Sequence, residues 1–303
     1  TKANEVKDVA VVGGGYIGLE VAENLKMAGY NVSLIEAQDQ IMAPLDYDMV
    51  QIINREIMKN GVDLILKDSV QAIGSDEVTL ASGRTVKAQA VVMAIGVSPE
   101  NALAKQAGLE LGVAGSIKVN HHYQTSNPHI YAVGDAIETI CFFTGQKTQL
   151  ILAGPAQRQA RAAADHVYGR TYLNTGVIGS SSVKMFGLNS ANTGLNEKQC
   201  QARGIAYDFA YIIPKDKVSI MPGAENLFFK LIFAVPSGKI LGAQAVGRGN
   251  VDKRIDVIAT AIMLNANLED LKALELTYSP HFSTAKDVVN HAVLVGLNIL
   301  NGE

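Results

Sequence analysis

The chain has 303 residues, of which 48% are hydrophobic and 18% are charged, and a formal net charge of −3. This composition predicts a globular protein long enough for two domains, and the absence of a basic block argues against binding to nucleic acid or to an anionic membrane surface. No apolar run in the sequence reaches the ~18 residues of a membrane span, and the use of only two cysteines, Cys141 and Cys200, predicts a cytoplasmic protein without a disulfide framework.

The first predicted unit is a strand, turn, helix and strand that ends at Glu36. Asp8–Val12 is a short β-branched run, Ile17–Ala28 has apolar residues at helical spacing, and Val32–Ile35 predicts a second strand. A G-x-G-x-x-G motif joins the first strand to the helix, and Glu36 follows about 20 residues on. This order of elements predicts a dinucleotide-binding site.

Each glycine of the motif has a separate expected part. Gly13 permits a tight turn, Gly15 lets a pyrophosphate approach the backbone, and Gly18 lets the helix lie close to the sheet. The start of the helix offers free N–H groups to phosphates, and Glu36 would accept hydrogen bonds from the adenosine ribose. The alternative is a glycine-rich turn without a ligand, which would make Glu36 and the two strands a coincidence.

The segment after Glu36 carries no Lys or Arg as far as residue 50. Asp46 or Asp48 can start a helix that continues through Lys59. Short neighbouring strands then suggest an antiparallel meander laid on a parallel sheet: Asp63–Lys67, Ser69–Ile73, Glu77–Leu80, Thr85–Lys87 and Ala90–Ile95. Gly96 follows the last strand at the edge where such sheets bind ligands.

The middle of the chain predicts fewer regular elements. A helix begins near Glu100, short strands are expected at Ile117–Val119 and Ile130–Val133, and an Ala-rich helix at Ala153–Tyr168. The second strand ends in Gly134-Asp135. A lone carboxylate at such a position would ordinarily cap a loop or a helix.

A third block begins near Thr171 and mixes strands with helices without strict alternation, which predicts an α+β layer domain. The expected strands are Ser181–Phe186, Ala206–Ile213, Leu227–Val235 and Lys239–Val246. The expected helices are Asn196–Arg203, Val251–Leu264, Leu268–Ala273 and Thr284–Leu300.

Four motifs, in this order, resemble the flavin-dependent pyridine nucleotide–disulfide oxidoreductases. They are GGGYIGLE (Gly13–Glu20), AIGVSPEN (Ala94–Asn101), TSNPHIYAVGDAIE (Thr125–Glu138) with LAGPAQRQAR (Leu152–Arg161), and LTYSPHFSTAKDVVNHA (Leu276–Ala292). The last is similar to the coenzyme A–disulfide reductase and NADH oxidase branch. The resemblance implies a Rossmann-like NAD(P)H-binding domain over residues 1–97, a segment of the FAD-binding domain over 98–170, and a dimerisation domain of a homodimer over 171–303.

The resemblance also implies cofactor contacts. Gly13, Gly15, Gly18 and Glu36 would hold the nicotinamide cofactor, with Ile17 beside them. Tyr16 would stack between the flavin and nicotinamide sites and swing aside as the cofactor binds. Glu20 would meet the carboxamide, and Gly96 would line the nicotinamide pocket. On the flavin side, Gly134 and Asp135 would bind the ribityl or pyrophosphate region of FAD, and Leu152, Ala153 and Gly154 would lie near the isoalloxazine.

The chain departs from the family pattern in two respects. It has a single G-x-G-x-x-G motif and no cysteine in the N-terminal position of the family nucleophile, and neither Cys141 nor Cys200 matches that nucleophile. We therefore expect the chain to be the C-terminal two-thirds of a family member, to hold FAD weakly by itself, and to be inactive in isolation.

Tyr278 is the predicted catalytic residue. Other branches use a histidine oriented by a nearby Glu, but no Glu follows His281 closely. In the dimer, the Tyr278 phenol would reach the partner's flavin and act as a general acid, whereas without the resemblance a simple packing role is favoured.

In the implied reaction, hydride passes from NAD(P)H to FAD, and the reduced flavin then reduces a cysteine centre. That centre reduces the substrate, which is coenzyme A disulfide or a related persulfide. Oxygen or peroxide as acceptor is the alternative, and a non-catalytic nucleotide-binding dimer is an alternative of another class. Glu36, without a neighbouring cation in sequence, predicts that NADH is preferred over NADPH.

Overall fold

A computed structural model describes residues 6–170 and 174–302 of the chain. Thr171, where the third block was expected to begin, lies outside these residues. The chain divides into two compact units: one comprises the chain up to Gly96 together with the chain from Ser180 onward, and the other comprises Val97–Gly179. Within the described ranges, no helix combines the length and the apolar character that crossing a membrane requires.

The first part of the larger unit contains seven strands and two helices. The strands are β1 (Asp8–Val12), β2 (Asn31–Glu36), β3 (Asp63–Leu66), β4 (Val70–Ile73), β5 (Glu77–Leu80), β6 (Thr85–Lys87) and β7 (Ala90–Met93). The helices are α1 (Tyr16–Met27) and α2 (Tyr47–Lys59).

These strands form the two predicted sheets. A parallel sheet has the order β3-β2-β1-β7, and β4, β5 and β6 form a separate antiparallel sheet. Alternate residues of β1 face opposite sides: Val11 belongs to the core that includes α1 and α2, whereas Ala10 and Val12 contact Val78 and Leu80 of the meander. The expected Rossmann-like sheet with a meander on it is confirmed.

The smaller unit contains α3 (Ala102–Gln106), β8 (Thr139–Ile140), β9 (Lys147–Thr148) and α4 (Ala153–Val167). Its core joins α4 to the preceding loops through Val119, Tyr123, Ile137, Ala162 and Ala163.

Two strands predicted in this unit are wrong. Ile117–Val119 and Ile130–Val133 are represented only by isolated bridges, of Ile117 with Leu111 and Ile137, and of Tyr131 with Gln124. Their β-branched residues favoured strands, but each segment finds a partner for one residue and then turns away, so no ladder forms.

The third block contains β10 (Ser181–Met185), β11 (Leu188–Gly194), α5 (Glu197–Ala202), β12 (Tyr207–Ile212), β13 (Phe228–Ala234), β14 (Ile240–Gly247), α6 (Val251–Met263), α7 (Leu268–Lys272) and α8 (Val288–Asn301). The five strands form an antiparallel sheet of order β10-β11-β14-β13-β12. Helices α6 and α8 cover this sheet, and Val183, Met185, Leu188 and Val246 join the core of α1 and α2. The block is therefore the predicted α+β layer, with β11 as an additional strand.

Candidate functional site

Two glycines at the turn between β1 and α1 have no room for a side chain. Gly13 has φ +108°, and a Cβ there would lie 2.3 Å from the carbonyl oxygen of Ala94. A Cβ on Gly18 would lie 1.8 Å from the carbonyl oxygen of Gly13. These two positions accept only glycine for steric reasons, while their part in holding a ligand stays a prediction.

Gly15 differs from its neighbours. It is the N-cap of α1, and a Cβ on it would meet nothing within 4 Å. No acidic side chain lies in the first turn of α1. The positive end of the helix therefore opens onto free space, which fits the pyrophosphate of a dinucleotide.

Hydrogen bonds hold the Glu36 carboxylate beside this turn. Its Oε2 accepts a hydrogen bond from the backbone N–H of Gly14 at 2.7 Å, and its Oε1 accepts one from that of Gln38 at 2.8 Å. Each carboxylate oxygen keeps a further lone pair for a ribose hydroxyl. The G-x-G-x-x-G motif assigns no part to Gly14, yet a Cβ there would lie 2.4 Å from Cγ2 of Ile41. The run of three glycines was the available signal.

Two lysines lie near the segment that follows Glu36, although that segment has none. Lys198 Nζ of α5 donates to Gln40 at 3.0 Å and lies 3.7 Å from Asp39. The exposed Lys67 follows β3, and its backbone N–H donates to the carbonyl of Gln38. The sequence could not show these neighbours, because they come from other elements.

Tyr16 opens α1, and its hydroxyl is held by two side chains of the antiparallel sheet. It is hydrogen-bonded to Ser181 Oγ and donates to Asn192 Oδ1 at 3.2 Å. Burial raises the pKa of the phenol, although the Ser181 bond opposes the shift. The predicted swinging motion is untested, but it would have to break these bonds.

The other residues predicted near the nicotinamide are open to solvent. Ile17 and Glu20 are exposed on α1, and Gly96 follows β7 with φ +116° and an exposed backbone. Their contacts with a cofactor stay predictions.

In the smaller unit, Gly134 has φ +81°, and its N–H donates to Oε1 of the buried Gln159 on α4 at 2.7 Å. The neighbouring Asp135 is exposed, and its carboxylate forms no hydrogen bond or ion pair with the described residues. It therefore caps neither a helix nor a loop and is free to accept from a ligand.

The start of α4 also lies open. Leu152 is its N-cap, and Ala153 and Gly154 are exposed. These features, with the free carboxylate of Asp135, fit one wall of a flavin site.

Tyr278 lies in the segment between α7 and α8, directly before a turn. The N–H groups of Phe282 and Ser283 both donate to the carbonyl of Ser279, at 2.9 and 3.0 Å. The Tyr278 side chain is 53% exposed, and its hydroxyl has no hydrogen-bond partner in the described part of the chain. It is therefore available to a substrate.

Comparison with known proteins decides the family. Residues 1–160 match the profile of the pyridine nucleotide-disulphide oxidoreductases, and residues 180–289 match the dimerisation domain of that family. The chain belongs to the pyridine nucleotide-disulphide oxidoreductase family.

Three proteins that are similar to this chain are described as follows. The coenzyme A disulfide reductase of Staphylococcus epidermidis is 34% identical over 92% of the chain. A structure described as reduced CoADR-RHD of Bacillus anthracis is 45% identical over 99% of the chain, with a TM-score of 0.96. An NAD-dependent persulfide reductase from A. fulgidus is 34% identical over 99% of the chain, with a TM-score of 0.96. The chain spans 64%, 54% and 56% of these three proteins.

The two cysteines of the chain are both reduced thiols but differ in burial. Cys200 is fully buried on α5, and burial, with the nearby Asp46 carboxylate, raises the pKa of its thiol to about 11. Such a thiol stays protonated at neutral pH and is a poor nucleophile. Cys141 lies partly buried after β8.

Proposed function

We propose that this chain supplies the NADH-binding and substrate-facing parts of an FAD-dependent enzyme that reduces a small disulfide or persulfide, with coenzyme A disulfide as the favoured substrate. The main support is the open glycine turn beside the fastened Glu36 carboxylate, which fits a dinucleotide. The substrate class is supported by the relatives, which are described as coenzyme A disulfide and persulfide reductases.

The residues have separate tasks in this proposal. The α1 turn binds the pyrophosphate of NADH, and Glu36 accepts from the ribose. Gly134, Asp135 and the start of α4 would hold part of FAD, which when bound supplies the two-electron carrier between NADH and the disulfide. Reducing an S–S bond with two electrons releases two thiolates, and each takes up one proton. We assign one of those proton transfers to Tyr278, whose exposed hydroxyl can then be reprotonated from solvent.

NADH is expected to bind more tightly than NADPH, because the Glu36 carboxylate would repel a 2′-phosphate. Such like-charge contacts cost several kcal/mol, which corresponds to roughly a hundredfold in affinity. Titration of the holoenzyme with both nucleotides is the measurement. Glu36→Gln should narrow the difference, whereas Asp39→Asn, on the same segment, should leave it unchanged. Equal binding of the two nucleotides to the unaltered protein would contradict the expectation, and would direct attention to Lys67 and Lys198.

Tyr278→Phe tests the assignment of the proton donor. In the holoenzyme, flavin reduction by NADH should stay nearly unchanged, whereas disulfide turnover should fall by roughly tenfold to a thousandfold, in line with general-acid contributions. Rapid-mixing absorbance follows the first step, and release of thiol follows the second. If both steps slow together, Tyr278 has a packing role. If neither changes, the disulfide-reductase assignment loses its main residue.

A further inference from the structure

A buried ionic cluster lies beside the turn that carries Tyr278. It consists of Arg254 on α6, Asp287 at the start of α8, and Ser283 in the turn, which are 1%, 3% and 0% exposed. Arg254 lies on a face of α6 that is otherwise apolar, with Val251, Ile255 and Ile258 also buried. A fully buried guanidinium is costly unless it is paired, so its partners fix its position.

Arg254 binds the turn through backbone carbonyls. Its Nη2 donates to the carbonyl of Phe282 at 3.4 Å and to that of Asp216 at 3.0 Å, and its Nη1 donates to the carbonyl of Asn250 at 2.9 Å. Asn250 Nδ2 also donates to the carbonyl of Phe282, at 3.1 Å. The turn is thus held from α6 at one carbonyl by two donors.

Asp287 binds the same turn from α8. Its Oδ2 accepts from Arg254 Nη2 at 3.2 Å and from Ser283 Oγ at 2.5 Å, while Oδ1 accepts from the N–H of Val289. Burial pushes the pKa of Asp287 upward, but the hydrogen bonds from Ser283 and Val289 and the charge of Arg254 outweigh it and leave the pKa lowered. The carboxylate is therefore ionised at neutral pH.

The cluster connects directly to the backbone that precedes Ser283. The N–H of Ser283 donates to the carbonyl of Ser279, and the carbonyl of Pro280 accepts from the N–H of Val218. Tyr278 is the residue before Ser279, and its own hydroxyl is bonded to no described residue. No hydrogen bond at its tip therefore fixes the phenol, whereas the backbone directly after it is fixed by the turn.

We infer that Arg254, together with Asp287 and Ser283, is a positioning residue for Tyr278, holding the turn so that the phenol meets the substrate disulfide. The inference depends on the proposed function of Tyr278 as proton donor. The cluster contacts neither the nucleotide turn nor Glu36 in the described structure, so it should affect the disulfide step alone.

Ser283→Ala in the holoenzyme is the mildest test. Disulfide turnover should fall by roughly tenfold, since a misplacement of about 1 Å can cost on the order of a hundredfold, and flavin reduction by NADH should stay within about twofold. Hydrogen exchange in a peptide covering residues 279–284 should become faster. Ile258→Val is the matched control, because it removes buried volume from α6, one turn after Arg254. It should change neither disulfide turnover nor hydrogen exchange.

Arg254→Lys and a double variant complete the design. Lysine keeps the charge but lacks the planar fork, so Arg254→Lys should lower turnover at least as much as Ser283→Ala. Adding Ser283→Ala to Tyr278→Phe should cause little further loss, because residues that act through one group are not additive.

The possible outcomes separate the two ideas. Suppose that Tyr278→Phe impairs turnover. If Ser283→Ala has no effect, or if the losses of turnover from the two changes multiply in the double variant, the positioning role is overturned and the proposed function stands. If Tyr278→Phe leaves turnover intact, the proton-donor assignment fails and the positioning role fails with it.

Discussion

The glycines of the β1–α1 turn look equivalent in the motif but differ in the structure. Gly13 and Gly18 are fixed by contacts of their own chain, whereas Gly15 faces open space. A steric requirement therefore explains the first two even in a protein that binds nothing. At Gly15 neither a contact nor the backbone excludes a side chain, because its φ of −79° is open to any residue. A bound ligand is the remaining physical reason for a glycine at this position.

Gly15→Ala should separate binding from folding. The change should leave thermal stability almost unaltered, because the methyl group meets no atom. It should lower the affinity for NADH by roughly tenfold or more, about 1.4 kcal/mol, because the methyl group obstructs the pyrophosphate. Gly13→Ala should lower stability as well, because of its positive φ and the close Ala94 carbonyl. Calorimetry gives both quantities. NADH affinity unchanged in Gly15→Ala would show that the phosphates lie elsewhere.

Single residues also show where sequence reasoning ends. The motif placed Glu36 and Tyr16 at the turn, but the partners of Tyr16, Ser181 and Asn192, come from more than 160 residues away. Asp46 was expected as a possible helix cap, and it is the N-cap of α2. Its side chain nevertheless makes no capping bond and instead bonds Gln244 and Lys230. Such long-range pairs leave no local periodicity to detect.

At the level of elements, apolar patterning predicted every strand of the parallel sheet and the meander close to its observed bounds. In the third block this patterning missed β11, which reads LNSANTG and has few apolar residues. Most of β11 is buried all the same, because it lies inside the sheet between β10 and β14 and helix α6 packs on it. A central strand can thus be buried by its neighbours and not by its own hydrophobicity, which a local pattern does not reveal.

Lys230 joins three elements through a buried charge cluster. Its Nζ, on β13, lies 3.2 Å from Asp46 at the start of α2, 3.0 Å from Asp48, and is bonded to Glu197 of α5. The side chain is fully buried, with the ammonium 4.2 Å from the centre of the Phe209 ring. The three carboxylates could hold a metal ion by their spacing, but the ammonium already satisfies them. The cluster therefore fixes the nucleotide-binding part against the antiparallel sheet.

Lys230→Met should destabilise the protein by about 3–5 kcal/mol, because it leaves carboxylates without their counter-charge. Burial lowers the pKa of Lys230, but the Glu197 hydrogen bond and the charges of Asp46 and Asp48 raise it above its usual 10.5. The stabilisation that the charged Lys230 gives the folded protein is therefore complete below pH 10.5. It is lost as the pH rises through the higher pKa that Lys230 has in the folded state. Melting temperatures at pH 8 and pH 11 measure both effects.

The control for this prediction is Lys59→Met. Lys59 is exposed in the last turn of α2, the helix that carries Asp48 of the cluster. Its melting temperature should match that of the unaltered protein at both pH values. The Lys230→Met variant should lose less stability between pH 8 and pH 11 than the unaltered protein does. A Lys230→Met protein as stable as the control would show that the cluster is not needed for the fold.

On the scale of the whole molecule, the third block exposes a group of large apolar side chains. Ile220, Phe282 and Tyr278 are 86%, 61% and 53% exposed, and their two loops are joined by the hydrogen bond from Val218 to the carbonyl of Pro280. Clustered exposed apolar side chains commonly mark an interaction surface. The block also matches the dimerisation domain of the family. We therefore propose that these loops meet a second copy of the chain, which places Tyr278 at the interface.

The last prediction concerns this assembly. The unaltered protein should be a homodimer by light scattering at micromolar concentration, because a two-fold pairing would cover Ile220 and Phe282. Ile220→Asp should weaken the dimer by roughly tenfold to a hundredfold, since it introduces a charge that must be desolvated on association. Met27→Asp alters a side chain that is 74% exposed at the end of α1, outside the third block, and should leave the dimer intact. A monomeric unaltered protein would contradict the homodimer, and equal weakening by both variants would place the partner surface elsewhere. Either result would remove the expectation that Tyr278 acts across a dimer.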